Sequence, residues 1–280
     1  MPKVPLREKV FDAACFLIGK TGRAFGDKLS RPLFIIGTGR CGTTLLVDIL
    51  NTHPGLSGFP GEANELWHPK LEPFESAFLD IPPIEVDPKR FSDVSVANWP
   101  PKQGERIRDI FAGYHLITGR SRVFFTKSAM ISFMIPSILE VFPDARFIHI
   151  YRYGPSVIES YFKKNFGKYS RYMYTEKDYR IYCATYWNAC ILEIEKRRKE
   201  LSLDTKGQFL EFSYEGLCQT PRDVLEDIAK FLGVASNGFR YDISRISSQN
   251  YKVADYARNP ERAELLGLML SGMKLKGYLS

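Results

Sequence analysis

The sequence is poor in the residues that build metal and redox centres: 280 residues carry five cysteines and four histidines. Cys15, Cys41, Cys183, Cys190 and Cys218 form no C-x-x-C pair, and the histidines are too scattered to complete a zinc set. An odd number of widely spaced cysteines fits reduced thiols and a cytoplasmic location. No Asn-x-Ser/Thr acceptor occurs, which argues against a secreted chain. Long apolar runs are missing as well. The stretch Val10–Ile18 is nine residues and contains Asp12, too short to span a bilayer, and no signal-cleavage pattern follows it. It is expected to form an N-terminal helix, within residues 1–30, packed on the domain; a membrane-surface helix is the other option. No repeat, Gly/Ser linker or charge run divides the chain, so one domain over residues 1–280 is expected.

What is present is ordinary for a globular fold: 44% hydrophobic and 25% charged residues. The net charge of +7 favours anionic partners. Strand and helix patterns alternate, which predicts an α/β fold with a central, mostly parallel sheet flanked by helices, P-loop-like in kind. Strands are expected at 33–37, 56–59, 122–126, 145–151 and 209–213. Helices are expected at 43–51, 135–142 with Pro136 in the first turn, 154–164 and 177–201. The last of these has Ile181, Tyr182, Thr185, Tyr186, Ala189, Cys190 and Ile194 at helical spacing. Another helix opens with Thr220-Pro221 as cap and ends at Gly233. Residues 69–105 read as an irregular excursion and the tail from 241 as a polar wrap.

One segment carries chemistry. Residues 34–46, Phe-Ile-Ile-Gly-Thr-Gly-Arg-Cys-Gly-Thr-Thr-Leu-Leu, run from an apolar strand through a glycine-rich turn into a helix. Gly37, Gly39 and Gly42 let the backbone curl its N–H groups around an anion, and the helix N-terminus adds its positive end. Arg40 supplies a full charge, and Thr43 and Thr44 supply hydroxyls. The spacing of Gly37, Gly42 and Thr44 fits the nucleotide-triphosphate loop G-x-x-x-x-G-K-[ST], but Thr43 stands at the lysine position. No acidic metal ligand follows the 146–151 strand, where Arg152 stands instead. Both gaps argue against ATP or GTP hydrolysis. A second anion site follows from Arg152 at that strand's end and Ser160 eight residues on, beyond the helix start at Gly154-Pro155.

With these residues in place, the sequence resembles the sulfotransferases that use 3′-phosphoadenylyl sulfate (PAPS). Gly39-Arg-Cys-Gly-Thr-Thr-Leu45 looks like their 5′-phosphosulfate loop in its arginine form, similar to tyrosylprotein, bacterial and carbohydrate members. Cys41 replaces the usual serine, which removes one hydroxyl donor. Arg152 and Ser160 match the pair that binds the 3′-phosphate. Phe212-Ser-Tyr-Glu-Gly-Leu217 resembles the family's Tyr-Glu-x-Leu stretch and would bring Tyr214 near the nucleotide, unless that ring is simply core. The resemblance spans about residues 33–233.

It implies transfer of a sulfuryl group from PAPS to a hydroxyl or amine, with adenosine 3′,5′-bisphosphate (PAP) as product and no metal required. Lys127, at a strand end, would contact the transferring sulfate; a surface lysine is the other reading. Glu62 would be the base, with Glu65 as rival because the alignment needs one extra residue. His149 reads as a core residue, His53 as a turn former, and His68 as a distant candidate. Segments 60–120 and 241–280 would form the acceptor site and lid, with Phe59, Trp67, Phe74, Phe78, Trp99 and Tyr114 as apolar surface for a lipid, phenol or sugar, or as core. Lys252 would reach the nucleotide from the lid or stay solvated. The expected partner is a small-molecule, lipid or carbohydrate acceptor and not nucleic acid; a homodimer is left open. Two other readings stand beside this one: a P-loop kinase or NTPase with an atypical loop, and a non-catalytic nucleotide- or polyanion-binding protein.

Overall fold

Leu33, Phe34, Ile35 and Ile36 are wholly buried and form β1 (Leu33–Ile36), the middle strand of a five-stranded sheet. The structure is a computed structural model of the protein and describes residues 6–24, 29–67, 99–119, 122–169, 175–246, 256 and 258–279. Successive side chains on a strand point to opposite faces. Phe34 and Ile36 accordingly join one hydrophobic cluster, and Leu33 and Ile35 join another. The neighbouring strands repeat the alternation, with Phe124 and Phe147 on the first face and Phe125, Ile148 and Ile150 on the second. Strands buried on both faces read as continuous apolar runs, which is the mark of a parallel sheet covered by helices on both sides.

The other strands are β2 (Leu56–Gly58), β3 (Val123–Lys127), β4 (Arg146–Tyr151) and β5 (Phe209–Ser213). The order is β2-β3-β1-β4-β5, and every pairing is parallel. Helices α2 (Thr43–Leu50) and α9 (Pro221–Leu232) pack on one face. Helices α1 (Leu6–Ala24), α4 (Gln103–Thr118) and α5 (Ile135–Val141) pack on the other, together with part of α7 (Glu176–Glu200). A third cluster joins α6 (Gly154–Tyr169) and α7 to α10 (Pro260–Leu268) and α11 (Leu270–Leu275). Short helices α3 (Asn64–Trp67) and α8 (Tyr214–Gln219) are accompanied by 3-10 turns at Met130–Phe133, Ser236–Gly238 and Ile243–Arg245. Among the described residues no helix is long and apolar enough to cross a membrane.

The register sets the site. Ile35 pairs with Lys127, Ile36 with His149, and Tyr151 with Ser213, so the strands end at one edge with β4 and β5 reaching past β1. The helix after β1 lies on one face of the sheet and the helices after β4 on the other. The crevice at such a reversal is where open α/β sheets bind ligands.

Four expectations are corrected. The excursion does not run to 105: α4 begins at Gln103 and buries Ile107, Ile110 and Phe111 on one stripe. On α7, Tyr182 and Thr185 face solvent, while Tyr179, Cys183, Trp187 and Ile191 join Tyr186, Cys190 and Ile194 inside. Thr220 precedes α9 without a side-chain cap, because its hydroxyl reaches back to the Gly216 carbonyl at 3.4 Å. The tail is not merely polar, since Leu265, Met269 and Met273 are buried against α7. Of the aromatics expected to be either acceptor surface or core, Phe59 and Trp67 are core, and Trp99 and Tyr114 pack against that core while staying partly exposed. Phe74, Phe78, His68 and Lys252 lie outside the described residues.

Candidate active site

The loop between β1 and α2 is bent by left-handed backbone at Arg40 (φ 65°) and Gly42 (φ 107°). α2 then starts with no side-chain cap. The first N–H groups of a helix have no partner within it, so here the helix presents its positive end to the crevice. Gly42 admits close packing: a β-carbon there would lie 2.4 Å from Cδ2 of Tyr214. Gly39 likewise rests against the Tyr161 hydroxyl, which a β-carbon would approach to 2.0 Å. Thr43 is buried, Thr44 is exposed and Leu45 is half-buried. Cys41 is wholly buried, and burial pushes its thiol up to about 12, outweighing hydrogen bonds from Thr43 and Thr38. It is a packed, unreactive thiol.

The residue expected at the second anion site meets this loop. The guanidinium of Arg152, just past β4, lies over the Tyr214 ring at 4.4 Å from its centroid. The same ring presses on Gly42, so Tyr214 joins the two turns. Nε of Arg40 donates to Ser160 Oγ at 3.0 Å, a second tie between them. The structure thus brings Arg40, Gly42, Ser160, Tyr214 and Arg152 together.

Glu62 and Lys127 also meet. Lys127 Nζ, at the end of β3, donates to Glu62 Oε1 across 65 positions of sequence. The Glu62 side chain is 38% exposed and that of Lys127 16%, so water partly screens the pair. Glu62 is aimed by two left-handed neighbours, Gly61 (φ 74°) and Ala63 (φ 51°). Positive φ at alanine is strained, and such strain gathers at functional sites. Glu65 belongs to α3; its side chain is not among those described.

Sequence reasoning missed the residues that hold these groups. Ser132 Oγ accepts from Gly37 N at 2.8 Å and donates to Gly37 O at 3.0 Å, pinning the loop's entry. The signal was a serine inside the apolar run Met130-Ile-Ser-Phe-Met-Ile135. Trp187 Nε1 donates to Arg152 O at 3.1 Å, and Glu215 Oε1 accepts from Tyr153 N at 3.1 Å.

His53 and His149 take structural roles. His53 Nδ1 accepts from Gly55 N at 2.9 Å, and its Nε2 lies 2.8 Å from Ala235 O. His149 is wholly buried with Nδ1 2.7 Å from Glu211 Oε2, and its Nε2 has no partner among the described residues. Burial pushes His149 below its ordinary range. Burial alone would raise the Glu211 carboxyl, but His149 and Lys276 hold it at about 2. Among the described residues no three His, Cys, Asp or Glu side chains gather as metal ligands would.

Comparison with known proteins agrees with this architecture. The chain resembles the crystal structure of sulfotransferase STF9 from Mycobacterium avium, with a TM-score of 0.64 and 14% identity over 98% of this chain and 86% of that one. It resembles a sulfotransferase from Alicyclobacillus acidocaldarius, with a TM-score of 0.52 and 18% identity over 88% and 94%. A sulfotransferase domain from the curacin biosynthetic pathway gives a TM-score of 0.53 and 19% identity over 87% and 98%. A search of curated proteins found no match. The model of the Sulfotransferase family matches residues 32–237, which contain both turns and the Glu62–Lys127 pair, and the chain belongs to that family.

Proposed function

We propose that the protein transfers the sulfuryl group of PAPS to a hydroxyl or amine of a small-molecule, lipid or carbohydrate acceptor. The observation that supports this most is the meeting of two anion-binding turns through one aromatic ring. Tyr214 lies against Gly42 of the first and under Arg152 of the second. A ligand with a phosphate at each end of an adenosine fits two such turns.

In this reading Arg40, the N–H groups from Gly39 to Leu45 and the hydroxyls of Thr43 and Thr44 hold the 5′-phosphosulfate. Arg152 and Ser160 hold the 3′-phosphate. The acceptor oxygen attacks sulfur in line, the S–O bond to the 5′-phosphate breaks, and negative charge grows on the leaving phosphate. Fixed cations and N–H groups aimed at that charge lower the barrier. Glu62 takes the acceptor proton. Lys127 is paired with Glu62 in the structure; drawn to the sulfonate oxygens as the donor binds, it would free the carboxylate to act as base. Adenosine 3′,5′-bisphosphate is released. No step is routed through a metal, since Arg40, Lys127 and Arg152 supply the positive charge. The five cysteines are free thiols, which supports work in a reducing cytoplasm.

The test is a transfer assay with labelled PAPS and a panel of phenols, sugars and lipids, beside thermal melts with adenosine 3′,5′-bisphosphate and with MgATP. The bisphosphate should raise the melting temperature more. Stronger stabilisation by MgATP would favour a kinase, and bisphosphate binding with no turnover on any acceptor would favour a binding protein.

A further inference from the structure

Arg152 stands between Tyr151 and Tyr153, and Tyr278 packs on both. Its ring centroid lies 6.1 Å from that of Tyr151 and 5.4 Å from that of Tyr153. The Tyr278 hydroxyl donates to Glu215 Oε2 at 2.7 Å, while Glu215 Oε1 accepts the N–H of Tyr153 at 3.1 Å. Glu215 directly follows Tyr214, the ring under the Arg152 guanidinium. One carboxylate therefore ties the backbone behind Arg152 to the base of its aromatic platform, and Tyr278 holds that carboxylate in place.

The segment carrying Tyr278 is itself anchored. Gly272 N donates to Asn188 Oδ1 at 2.8 Å on α7, next to the Trp187 that holds the Arg152 carbonyl. Lys276 Nζ donates to Glu211 Oε2 at 2.5 Å and lies 5.0 Å from the Tyr151 ring centroid. Tyr278 is largely buried, and burial together with the Glu215 charge raises its phenol well above the ordinary range. It therefore remains a donor at neutral pH. The groups facing it are the Glu215 carboxylate on α8, the Tyr151 phenol at the end of β4, and the Arg152 cation and Tyr153 phenol just past that strand.

We infer that Tyr278, acting through Glu215, is a positioning residue that fixes Arg152 and its Tyr214 platform, and so sets the preference for a nucleotide carrying a 3′-phosphate. This rests on the donor reading proposed above. A guanidinium on a loosely held turn would reach the same phosphate from many rotamers, each bound less well. The latch removes that freedom before the nucleotide arrives.

The experiment measures binding of adenosine 3′,5′-bisphosphate and adenosine 5′-phosphate to the full chain by calorimetry. In the unaltered protein the bisphosphate should bind tighter. Tyr278→Phe keeps the ring packing and removes only the hydroxyl. It should weaken the bisphosphate about three- to tenfold, the range expected for the loss of one hydrogen bond of ordinary strength, and leave the monophosphate within about twofold. Glu215→Gln, which keeps an acceptor for Tyr153 and removes the charge, should shift the same ratio in the same direction and serves if Tyr278→Phe folds poorly. Equal loss for both nucleotides, or no change in either, overturns the inference, because the segment would then serve only the fold. A wild-type protein with no preference for the bisphosphate overturns the donor reading itself.

Discussion

Replacing Gly42 by alanine tests the junction between the two turns with a single methyl group. The new β-carbon would stand 2.4 Å from Tyr214 Cδ2, 3.0 Å from its Cε2 and 3.3 Å from Ile150 Cδ1. Carbon atoms rest at about 3.5–4.0 Å, so the ring must move by about an ångström or the loop must open. The backbone at φ 107° adds its own cost for any residue with a side chain. Strain at such positions costs on the order of 1–3 kcal/mol, and overpacking adds about as much again. The two together come to roughly 2–6 kcal/mol. At about 2 °C per kcal/mol for a chain of this size, the melting temperature should fall by roughly 4–12 °C. A displaced Tyr214 no longer supports Arg152, so adenosine 3′,5′-bisphosphate should bind at least about tenfold more weakly, a loss of about 1.4 kcal/mol. Gly207→Ala is the control. Its φ is 61° with nothing within 4 Å, so only the backbone cost of about 1–2 kcal/mol applies. Scanning fluorimetry with and without the bisphosphate reads both quantities. A Gly42→Ala protein that melts like Gly207→Ala and keeps full ligand stabilisation would refute the packed junction.

Two further outcomes follow from the same geometry. Glu62→Gln should lower kcat by about 100-fold or more, as loss of a positioned base does, with bisphosphate affinity within about twofold; if Glu65→Gln behaves this way instead, the base lies three residues further on. Stability should fall in acid. Glu211 is held at about 2 in the fold against 4.5 free, so its contribution is complete above about pH 4.5 and is lost as pH drops toward 2. His149 lies below its ordinary 6.5 because it is buried, so the unfolded chain binds a proton first and the loss begins below about pH 6.5. Urea midpoints that stay flat from pH 7 to pH 3 would contradict both.

The parts of the candidate site that lie close in sequence could be proposed from it. Gly37 to Thr44 need only a strand, a turn and a helix in succession, and Arg152 with Ser160 needs only a strand end and two helical turns. The Glu62–Lys127 contact could not be read, because it closes across 65 positions and depends on β2 lying beside β3. The same limit hid the Tyr278–Glu215 bond, 63 positions apart. The expected face of α7 was rotated for a different reason. That helix packs against two clusters at once, Cys190 and Ile194 in one and Tyr179, Cys183, Tyr186, Trp187 and Ile191 in the other. Apolar residues then occupy too much of its circumference for a single stripe to stand out. α4 was missed because the proline- and charge-rich stretch before it masked Ile107, Ile110 and Phe111, which do have helical spacing.

Parallel strands ending in register impose an electrostatic problem as well as a site. β1, β3 and β4 are neighbours in the sheet and each delivers a cation to the same edge: Arg40, Lys127 and Arg152. Gathering like charges in a half-dry crevice is unfavourable. The fold meets this with Ser160 on Arg40, Glu62 on Lys127 and the Tyr214 face under Arg152. Of these three contacts, that between Glu62 and Lys127 is an ion pair. A ligand with two phosphates would be drawn to this edge by all three cations, so its binding should weaken as salt rises and the screening length shrinks from about 10 Å at 0.1 M to about 3 Å at 1 M. The argument separates the two turns. Adenosine 3′,5′-bisphosphate engages both and should show the steeper salt dependence, whereas adenosine 5′-phosphate engages one. Arg152→Gln should bring the bisphosphate's slope down to that of the monophosphate. Equal slopes in the unaltered protein would mean that the second turn carries no phosphate, whatever its shape.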